Sequence, residues 1–515
     1  MRSERELTFA QDDIDLFAEA SGDHNPLHVE PELAARSAFG STVVPGALLA
    51  IAMLGTLPDD AARSVRSLRL SFSGPVLPGT TVAVNVGPST RARGAWELAL
   101  TGRGKTLVRM RARVARADSV LHQPGDRDAR ALAAMRTAPA EPSIAELVDA
   151  PPRFVEYRIG DELQRVAARW GAESVAPAVL EGLAWASYVV GMEVPGRHGL
   201  FSGLELGVGE EAADGVPAPG ARQELTVRDY DDRTGQLQID ARLVTAAGTA
   251  RCVAAIECFE LVDTGDPDPA ALAPAAADAA PAGSRGLVAV IGGSRGFGAA
   301  LTLALLGHGH RLRVTYASSG DHAERLVALA GAGRDAIAVD RVDARDAEAM
   351  EALAAELRAA GERLEGLVLN AALPPLAMGL TAASGGELAA YLADSVRLAA
   401  VPLGALLPLV DRDRGWIVFC SSSALSAPPR DWPHYVAAKG ALEGLAGWVA
   451  QNAPGIRVVV LRPPKMRTAI TSTPGGRLGA ASVESVAAWT AARLAGEDLD
   501  AGVTVLEPSL AEVRA

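Results

Sequence analysis

Hydropathy alternates with a period of two through Val65–Phe72, Thr80–Val86 and Thr106–Val114, and again through Gln223–Arg228, Leu237–Val244 and Arg251–Leu261. That period marks strands of an antiparallel sheet with one buried face. Ahead of each set runs a segment apolar on every side, ALLAIAML after Pro45-Gly46 and LAWASYVV after Glu181-Gly182. A helix with no polar face must be buried, and the apolar side of the sheet is the surface available to bury it. The pattern predicts an α+β arrangement, a sheet wrapped round one long helix, made twice. The tripeptides Phe72-Ser73-Gly74 and Phe201-Ser202-Gly203 mark a matching strand in each copy. Gly46 to Gly182 spans 136 positions and Phe72 to Phe201 spans 129, so the copies are expected to differ by one short loop deletion.

The C-terminal half has another rhythm. A wholly apolar strand, Leu287 to Ile291, runs into Gly292-Gly293-Ser294-Arg295-Gly296-Phe297-Gly298 and a helix through Leu306. Strands at Leu312–Tyr316, Ala336–Val339, Leu367–Asn370, Trp416–Ser421 and Arg457–Leu461 then alternate with helices such as His322–Ala330 and Ala347–Ala360. Continuous apolar strands between amphipathic helices predict an α/β, doubly wound parallel sheet. Between the halves lies VDTGDPDPAALAPAAADAAPAGSR, with Val262 and Leu272 as its only large apolar residues. Such a stretch buries little and reads as a semi-stiff linker over 262–285. A weaker break falls near 117–142. The expected organisation is therefore 1–118 and 140–261 for the two copies, then the linker, then 286–515.

Across 515 residues, 49% are hydrophobic and 22% charged, the texture of a folded chain. The net charge of -13 argues against a nucleic-acid partner, which needs a concentrated positive field. Three cysteines, Cys252, Cys258 and Cys420, stand in no ligand-like spacing, so neither a disulfide framework nor a metal site is expected. The first residues lack an apolar signal core and no apolar run approaches 18 residues, so a reduced, cytoplasmic protein without a membrane span is expected.

Residues 18–28 read AEASGDHNPLH. Asn25-Pro26 enforces a turn between Asp23 and His28. A carboxylate and an imidazole brought together beside a buried helix can hold one water and move two protons, as adding or removing water across a conjugated double bond requires. The start of that helix at Gly46 would offer backbone N–H groups to a thioester oxygen. The longer string Ser21-Gly22-Asp23-x-Asn25-Pro26-Leu27-His28, with Ala34/Ala35, Phe39-Gly40 and Val43-Val44-Pro45-Gly46, resembles the signature of MaoC-like (R)-specific enoyl-CoA hydratases over roughly residues 5–115. The resemblance implies a double hot-dog fold, Asp23 and His28 as the catalytic pair, and Asn25 as an orienting residue. Pro45 stands where that family usually has His. The second copy keeps only GDELQRVAARW around Gly160-Asp161, and is expected to complete the pseudo-dimer and shape an acyl tunnel, with Trp185 and Tyr188 as core or tunnel wall.

The glycine-rich loop at 292–298 follows a strand and opens a helix, the setting of a pyrophosphate cradle. Tyr435-Val-Ala-Ala-Lys439 places a phenol and an ammonium on one helical face. The ammonium favours the phenolate and lowers a pKa that is ordinarily about 10. Ser422, thirteen residues earlier, could hold a carbonyl oxygen. Over about 286–475 the chain resembles short-chain dehydrogenases/reductases of the FabG-like 3-oxoacyl kind. That likeness implies a Rossmann fold, Ser422, Tyr435 and Lys439 as catalytic residues, and cofactor contacts from Gly292, Ser294, Arg295, Gly296, Phe297, Gly298, Ser318, Asp343, Asn370 and Thr468. The family's fourth catalytic position, an asparagine, falls here at Ser395, and Ala372 and Pro464 each replace a usual glycine. No acidic residue ends the strand at Thr315-Tyr316-Ala317-Ser318, while Arg295 and Ser318 suit a 2′-phosphate, so NADPH is the expected cofactor.

Together the two resemblances imply a bifunctional ketoreductase and dehydratase working on acyl-CoA or acyl-carrier-protein thioesters, in polyketide or fatty-acid-type assembly. The reverse order, hydration then oxidation, resembles peroxisomal multifunctional enzymes, where the dehydrogenase comes first. A third reading keeps the reductase and makes the hot-dog domains non-catalytic acyl binders. The reductase likeness also implies association of like subunits through helices.

Overall fold

The structure, a computed structural model, describes residues 3–114, 133–148, 150–209, 221–245, 250–261, 265–274, 280–281, 283–472, 476, 478–496 and 502–513. The chain divides into two compact units, Met1–Val262 and Asp263–Ala515.

In the first unit, β1 (Ser3–Thr8) leads into α1 (Gln11–Ser21), the short α2 (Pro26–Val29) and α3 (Pro31–Ala34), the buried α4 (Gly46–Leu54) and α5 (Asp59–Ser64). Then come β2 (Ser67–Phe72), β3 (Thr81–Pro88), β4 (Ala95–Gly102) and β5 (Lys105–Arg113). The second copy follows with α6 (Ile144–Leu147), β6 (Arg153–Tyr157), α7 (Leu163–Trp170), α8 (Pro177–Tyr188), β7 (Gly199–Val208), β8 (Ala221–Asp231), β9 (Gln236–Val244) and β10 (Ala250–Glu260). Among the described residues these strands form one sheet in the order β1-β3-β4-β5-β2-β7-β10-β9-β8-β6. The order reads alike from either end once each strand is exchanged for its counterpart, so the sheet has a pseudo-twofold at the β2–β7 seam. Residues 47–54 of α4 and 178–188 of α8 are buried throughout, as the absence of any polar face required. This is the double hot-dog.

The seam corrects one sequence expectation. Arg69 pairs with Glu205 across it, the same 136-residue offset that relates Gly46 to Gly182. Phe72 ends β2 whereas Phe201 lies near the start of β7. The two tripeptides are opposite ends of one antiparallel seam, where the rings of Phe72 and Phe201 meet edge-on at 5.3 Å. No loop deletion is needed between helix and strand. Three further strands escape the alternation rule. The outermost β1 and β6 have a neighbour on one side only and carry several charges, and β4 shifts register at Leu100/Thr101. Of the expected break at 117–142, residues 115–132 lie outside the described residues. The part that follows is strapped to the second copy, since Ala140 N–H donates to Met192 O (2.9 Å) and Ala140 O accepts from Arg197 N–H (2.9 Å).

The second unit runs β11 (Leu287–Ile291), α9 (Gly296–Gly307), β12 (Arg311–Tyr316), α10 (Gly320–Leu329), β13 (Ile337–Arg341), α11 (Ala347–Ala359), β14 (Leu364–Leu369), α12 (Gly385–Leu406), β15 (Trp416–Cys420), α13 (Pro433–Asn452), β16 (Arg457–Leu461), α14 (Val483–Ala495) and β17 (Val503–Leu506). All its strands are parallel, in the order β13-β12-β11-β14-β15-β16-β17. The chain reverses direction between β11 and β14, and the crevice at the carboxyl ends of those strands is where a doubly wound sheet takes its ligand. One described helical stretch, Gly385–Leu409, is long and apolar enough to cross a membrane by length and composition. Its apolar side chains Leu398, Leu403 and Leu406 instead join the core beneath α11 and α13.

The expected linker is not a bare tether over its described part. Leu272 is buried in the core of the second unit beside α9 and α14. Asp266 pairs with Arg325 of α10 (3.0 Å). One large apolar side chain in an otherwise small-residue stretch is enough to pin it.

Candidate active sites

The first site is built on the break between α1 and α2. Gly22, at φ 72, ends α1 in the left-handed conformation that other residues resist. Ser21 Oγ then donates to Phe17 O (2.8 Å) and accepts from Asp23 N–H (3.1 Å). Asn25 caps α2 by accepting from Leu27 N–H (2.9 Å). Its amide nitrogen lies within hydrogen-bonding reach of three carbonyls of the second copy, Gly191 (3.2 Å), Gly196 (2.9 Å) and Arg197 (3.3 Å). Asn25 thus orients the turn, the place the resemblance gave it.

Asp23 is 2% exposed, and its carboxylate is held from both sides. Oδ1 accepts from Asn25 N–H (3.3 Å) and Oδ2 from the Ser187 hydroxyl of α8 (2.7 Å). Gly191 packs so closely that a Cβ there would overlap Asp23 Oδ1. His28 projects from α2, half-buried, with Nδ1 2.6 Å from Val43 O. A carbonyl only accepts, so Nδ1 carries the proton and the Nε2 lone pair of the neutral ring is left to act as a base. Gly46 opens α4 against the Phe72 ring, which a Cβ would meet at 2.9 Å.

Sequence reasoning missed Ser187 and Gly191, both from the copy that lacks the motif. The signal for Ser187 was its hydroxyl, alone in an apolar helix. The same copy carries a buried polar network behind the site. The Tyr157 hydroxyl donates to Ser21 O (3.2 Å), and burial, then the nearby acidic groups led by Glu181, push its pKa well up. Tyr188 donates to Glu193 (2.9 Å), a fully buried carboxylate that also meets Arg136 (3.0 Å). Trp185 donates to Gln223 (2.9 Å) and is core. Glu181 of α8 and Arg251 of β10 form a buried ion pair.

The second site stands at the carboxyl end of the parallel sheet. Gly292, at φ 77, turns the chain out of β11, and a Cβ on Gly298 would overlap Gly292 O. Asn370, just after β14, donates to that same oxygen (2.7 Å) and ties the two strand ends together. Gly296, at φ 53, opens onto space with nothing within 4 Å of where its Cβ would be. Close packing behind the loop and room in front of it, at the start of α9, fit a dinucleotide pyrophosphate. Ser294 and Phe297 are buried in the loop and Arg295 precedes α9 half-buried. Ser318 is exposed beyond β12, and Arg341 at the end of β13 donates from Nε to the neighbouring Ala317 O (3.3 Å). Asp343 is forked by Arg345 (3.1 and 2.8 Å), whose guanidinium holds its carboxyl below the usual range. Thr468 starts a 3-10 turn, its N–H donating to Thr471 Oγ1 (3.0 Å).

Tyr435 and Lys439 lie one turn apart on α13, with the ammonium 5.6 Å from the phenol ring centroid. Lys439 is 8% exposed and donates to Cys420 O (2.7 Å) at the end of β15, two residues before Ser422. Ser422 Oγ accepts from Ala424 N–H (3.1 Å), which fixes the serine loop. A brace that sequence reasoning missed supports this end of the sheet. Glu443 accepts from Ser421 Oγ (2.6 Å) and from Arg462 (2.8 and 2.7 Å), and Arg462 holds the Glu443 carboxyl down. Among the described residues no group of three or more His, Cys, Asp or Glu could hold a metal ion.

A buried carboxylate beside an imidazole on a hot-dog helix, and a phenol–ammonium pair at the mouth of a doubly wound sheet, define two classes of proton-transfer domain in one chain. Comparison with known proteins names them: residues 1–96 are a MaoC like domain and residues 286–475 a short chain dehydrogenase domain. Over 67 residues, 13% of this chain and 43% of the relative, the chain is 43% identical to a protein named 3-hydroxyacyl-thioester dehydratase Z from Mycobacterium tuberculosis. Over 85 residues, 16% of this chain and 14% of the relative, it is 31% identical to peroxisomal multifunctional enzyme type 2 of Drosophila melanogaster. The chain spans less than half the length of these curated relatives. A solved dehydrogenase/reductase from Sinorhizobium meliloti 1021 superposes with a TM-score of 0.39 at 24% identity, covering 47% of this chain and 98% of its own.

Proposed function

We propose that the chain is a bifunctional enzyme, an NADPH-dependent 3-oxoacyl-thioester ketoreductase joined to a 3-hydroxyacyl-thioester dehydratase, working in the biosynthetic direction. The observation that carries the reading is the fixed tautomer of His28 beside the caged Asp23, in the same chain as the Tyr435–Lys439 pair. Bound NADPH supplies a hydride to the 3-oxo carbon. Ser422 holds the carbonyl oxygen, and Tyr435 gives it a proton with the Lys439 ammonium alongside. Arg295, Ser318 and Arg341 surround the end of β12, where no carboxylate competes, and favour a 2′-phosphate.

The 3-hydroxyacyl product is the substrate of the first site. There His28 Nε2 and the Asp23 carboxylate together take the C2 proton and hand a proton to the departing hydroxyl. The C–H electron pair becomes the double bond, the C3–O bond breaks, and one water leaves with the pair restored. The α4 amides at Gly46 face the thioester oxygen as negative charge gathers on it. Fusion keeps the intermediate near the second activity at an effective concentration on the order of mM. The names of the relatives, one a thioester dehydratase and another a 3-hydroxybutyryl-CoA dehydratase, support thioester chemistry here.

The test is mass spectrometry of a 3-oxoacyl-CoA and its carrier-bound form incubated with NADPH or NADH. Successive gain of two hydrogens and loss of water, faster with NADPH, is expected. No reduction with either cofactor overturns the ketoreductase. Reduction without dehydration makes the hot-dogs binders only, and NADH preference with hydration of an enoyl-CoA reverses the direction.

A further inference from the structure

The reductase site has a second phenol. Tyr391 and Ser395 lie four apart on α12, on one face, and hydrogen-bond to each other. The Tyr391 hydroxyl also donates to Leu373 O (3.1 Å), beyond β14. Its ring is edge-on to His434 at 4.4 Å, the residue before Tyr435. Between these side chains and Lys439 lies a cavity of about 20 Å³, lined by Tyr391, Ser395, Tyr435 and Lys439 on its polar side and by Leu398 and Leu442 on the other. A cavity of at least about 10–15 Å³ with two to four polar partners holds one water. Here the partners are the Ser395 hydroxyl, the Tyr391 oxygen and the N–H groups that Lys439 has left after serving Cys420 O.

Each reduction takes a proton from Tyr435, and Lys439 is too buried to draw one directly from bulk solvent. Ser395 and Tyr391 are only half-buried, so the cavity joins solvent to the ammonium. We propose that Ser395 and Tyr391 position a single water through which the Tyr435–Lys439 pair is reprotonated after each turnover, in place of the missing asparagine. The proton enters at the Ser395 side, the water passes one on to the Lys439–Tyr435 pair as it receives one, and no other group changes charge. Tyr391 remains neutral: burial first, then the Tyr435 phenol, push its pKa up. The groups facing the water are Tyr391, Tyr435 and Lys439, with His434 behind Tyr391.

This rests on the ketoreductase reading, so the test runs the full chain with NADPH on both a 3-oxoacyl-CoA and a plain β-keto ester. Ser395→Ala is expected to lower kcat about tenfold with KM and NADPH affinity unchanged, to start the alkaline fall of kcat at lower pH, and to raise the solvent isotope effect. Tyr391→Phe should do the same more weakly, and Ser395→Asn should restore kcat to within about threefold of the parent, since an amide also holds a water. An unchanged pH profile and isotope effect in Ser395→Ala, or a loss that Ser395→Asn fails to rescue, overturns the relay. If wild type reduces the keto ester but no thioester, the substrate reading has failed while the relay is still read from the keto ester series.

Discussion

The two hot-dog copies share a topology strand for strand, yet only one carries the acid–imidazole motif. The first brings Asp23, Asn25 and His28, all on one turn. The second brings Ser187, Gly191 and the carbonyls of Gly196 and Arg197, all aimed at that turn. Their charges have diverged as well. Residues 65–114 hold nine Lys or Arg and a single acidic residue, Glu97, whereas residues 199–261 hold five Arg and eleven acidic residues. Arg109 and Arg113 on the outer side of β5 are exposed, so the field of the catalytic copy favours an anionic ligand over the field of its twin. A copy freed from doing chemistry has kept its shape and become the support of the other.

That division of labour can be broken from either side. Asp23→Asn should cost about a thousandfold in dehydration and leave NADPH-dependent reduction intact, followed as enoyl-thioester formation beside cofactor oxidation. Equal loss of both activities would show that the copies are not separable from the reductase. Arg251→Met attacks the support. It leaves Glu181 buried and unpaired, and should destabilise the first unit by about 3–5 kcal/mol. Burial already raises the Glu181 carboxyl while Arg251 opposes it. Without Arg251 the folded-state pKa lies further above the unfolded one. The folded form is then favoured below the unfolded pKa, and stability drains away as pH rises through the folded value. Urea unfolding at pH 5 and pH 8 should therefore show the larger deficit at pH 8, and an equal deficit would contradict the burial argument. Gly191→Ala pushes a methyl into Asp23 and should lower dehydration about a hundredfold, with an overpacking cost of about 1–3 kcal/mol. Ser187→Ala removes one hydrogen bond to a carboxylate, about 1.5–3 kcal/mol, and should cost dehydration about tenfold or somewhat more at unchanged unfolding midpoint. If Ser187→Ala dehydrates normally, the second copy supports the site by shape alone.

Much of this was legible before any coordinates. The all-apolar runs after Gly46 and Gly182 could only be buried helices, and the strand–glycine–helix sequence at 287–298 allowed little but a parallel sheet. Asp23, Asn25 and His28 could be found because they lie within six residues, so one turn fixes them. Ser187 could not, because it meets Asp23 from 164 positions away through a fold that must form first. The tripeptide at Phe72 and Phe201 misled for the reverse reason. Local identity suggested equivalence where antiparallel pairing had set the two rings at opposite ends of one seam. Leu272 likewise outweighed the composition around it, since a linker is defined by what it fails to bury.

The seam has a consequence for anyone who divides this protein. Main-chain pairing of residues 67–71 with 203–207 runs through the middle of the sheet, so expressing the motif-bearing copy alone would strip one side of β2 and present its N–H and C=O groups to whatever strand comes by. The fragment would recruit another of itself or precipitate, and a lost activity in that fragment would report solubility before it reported chemistry.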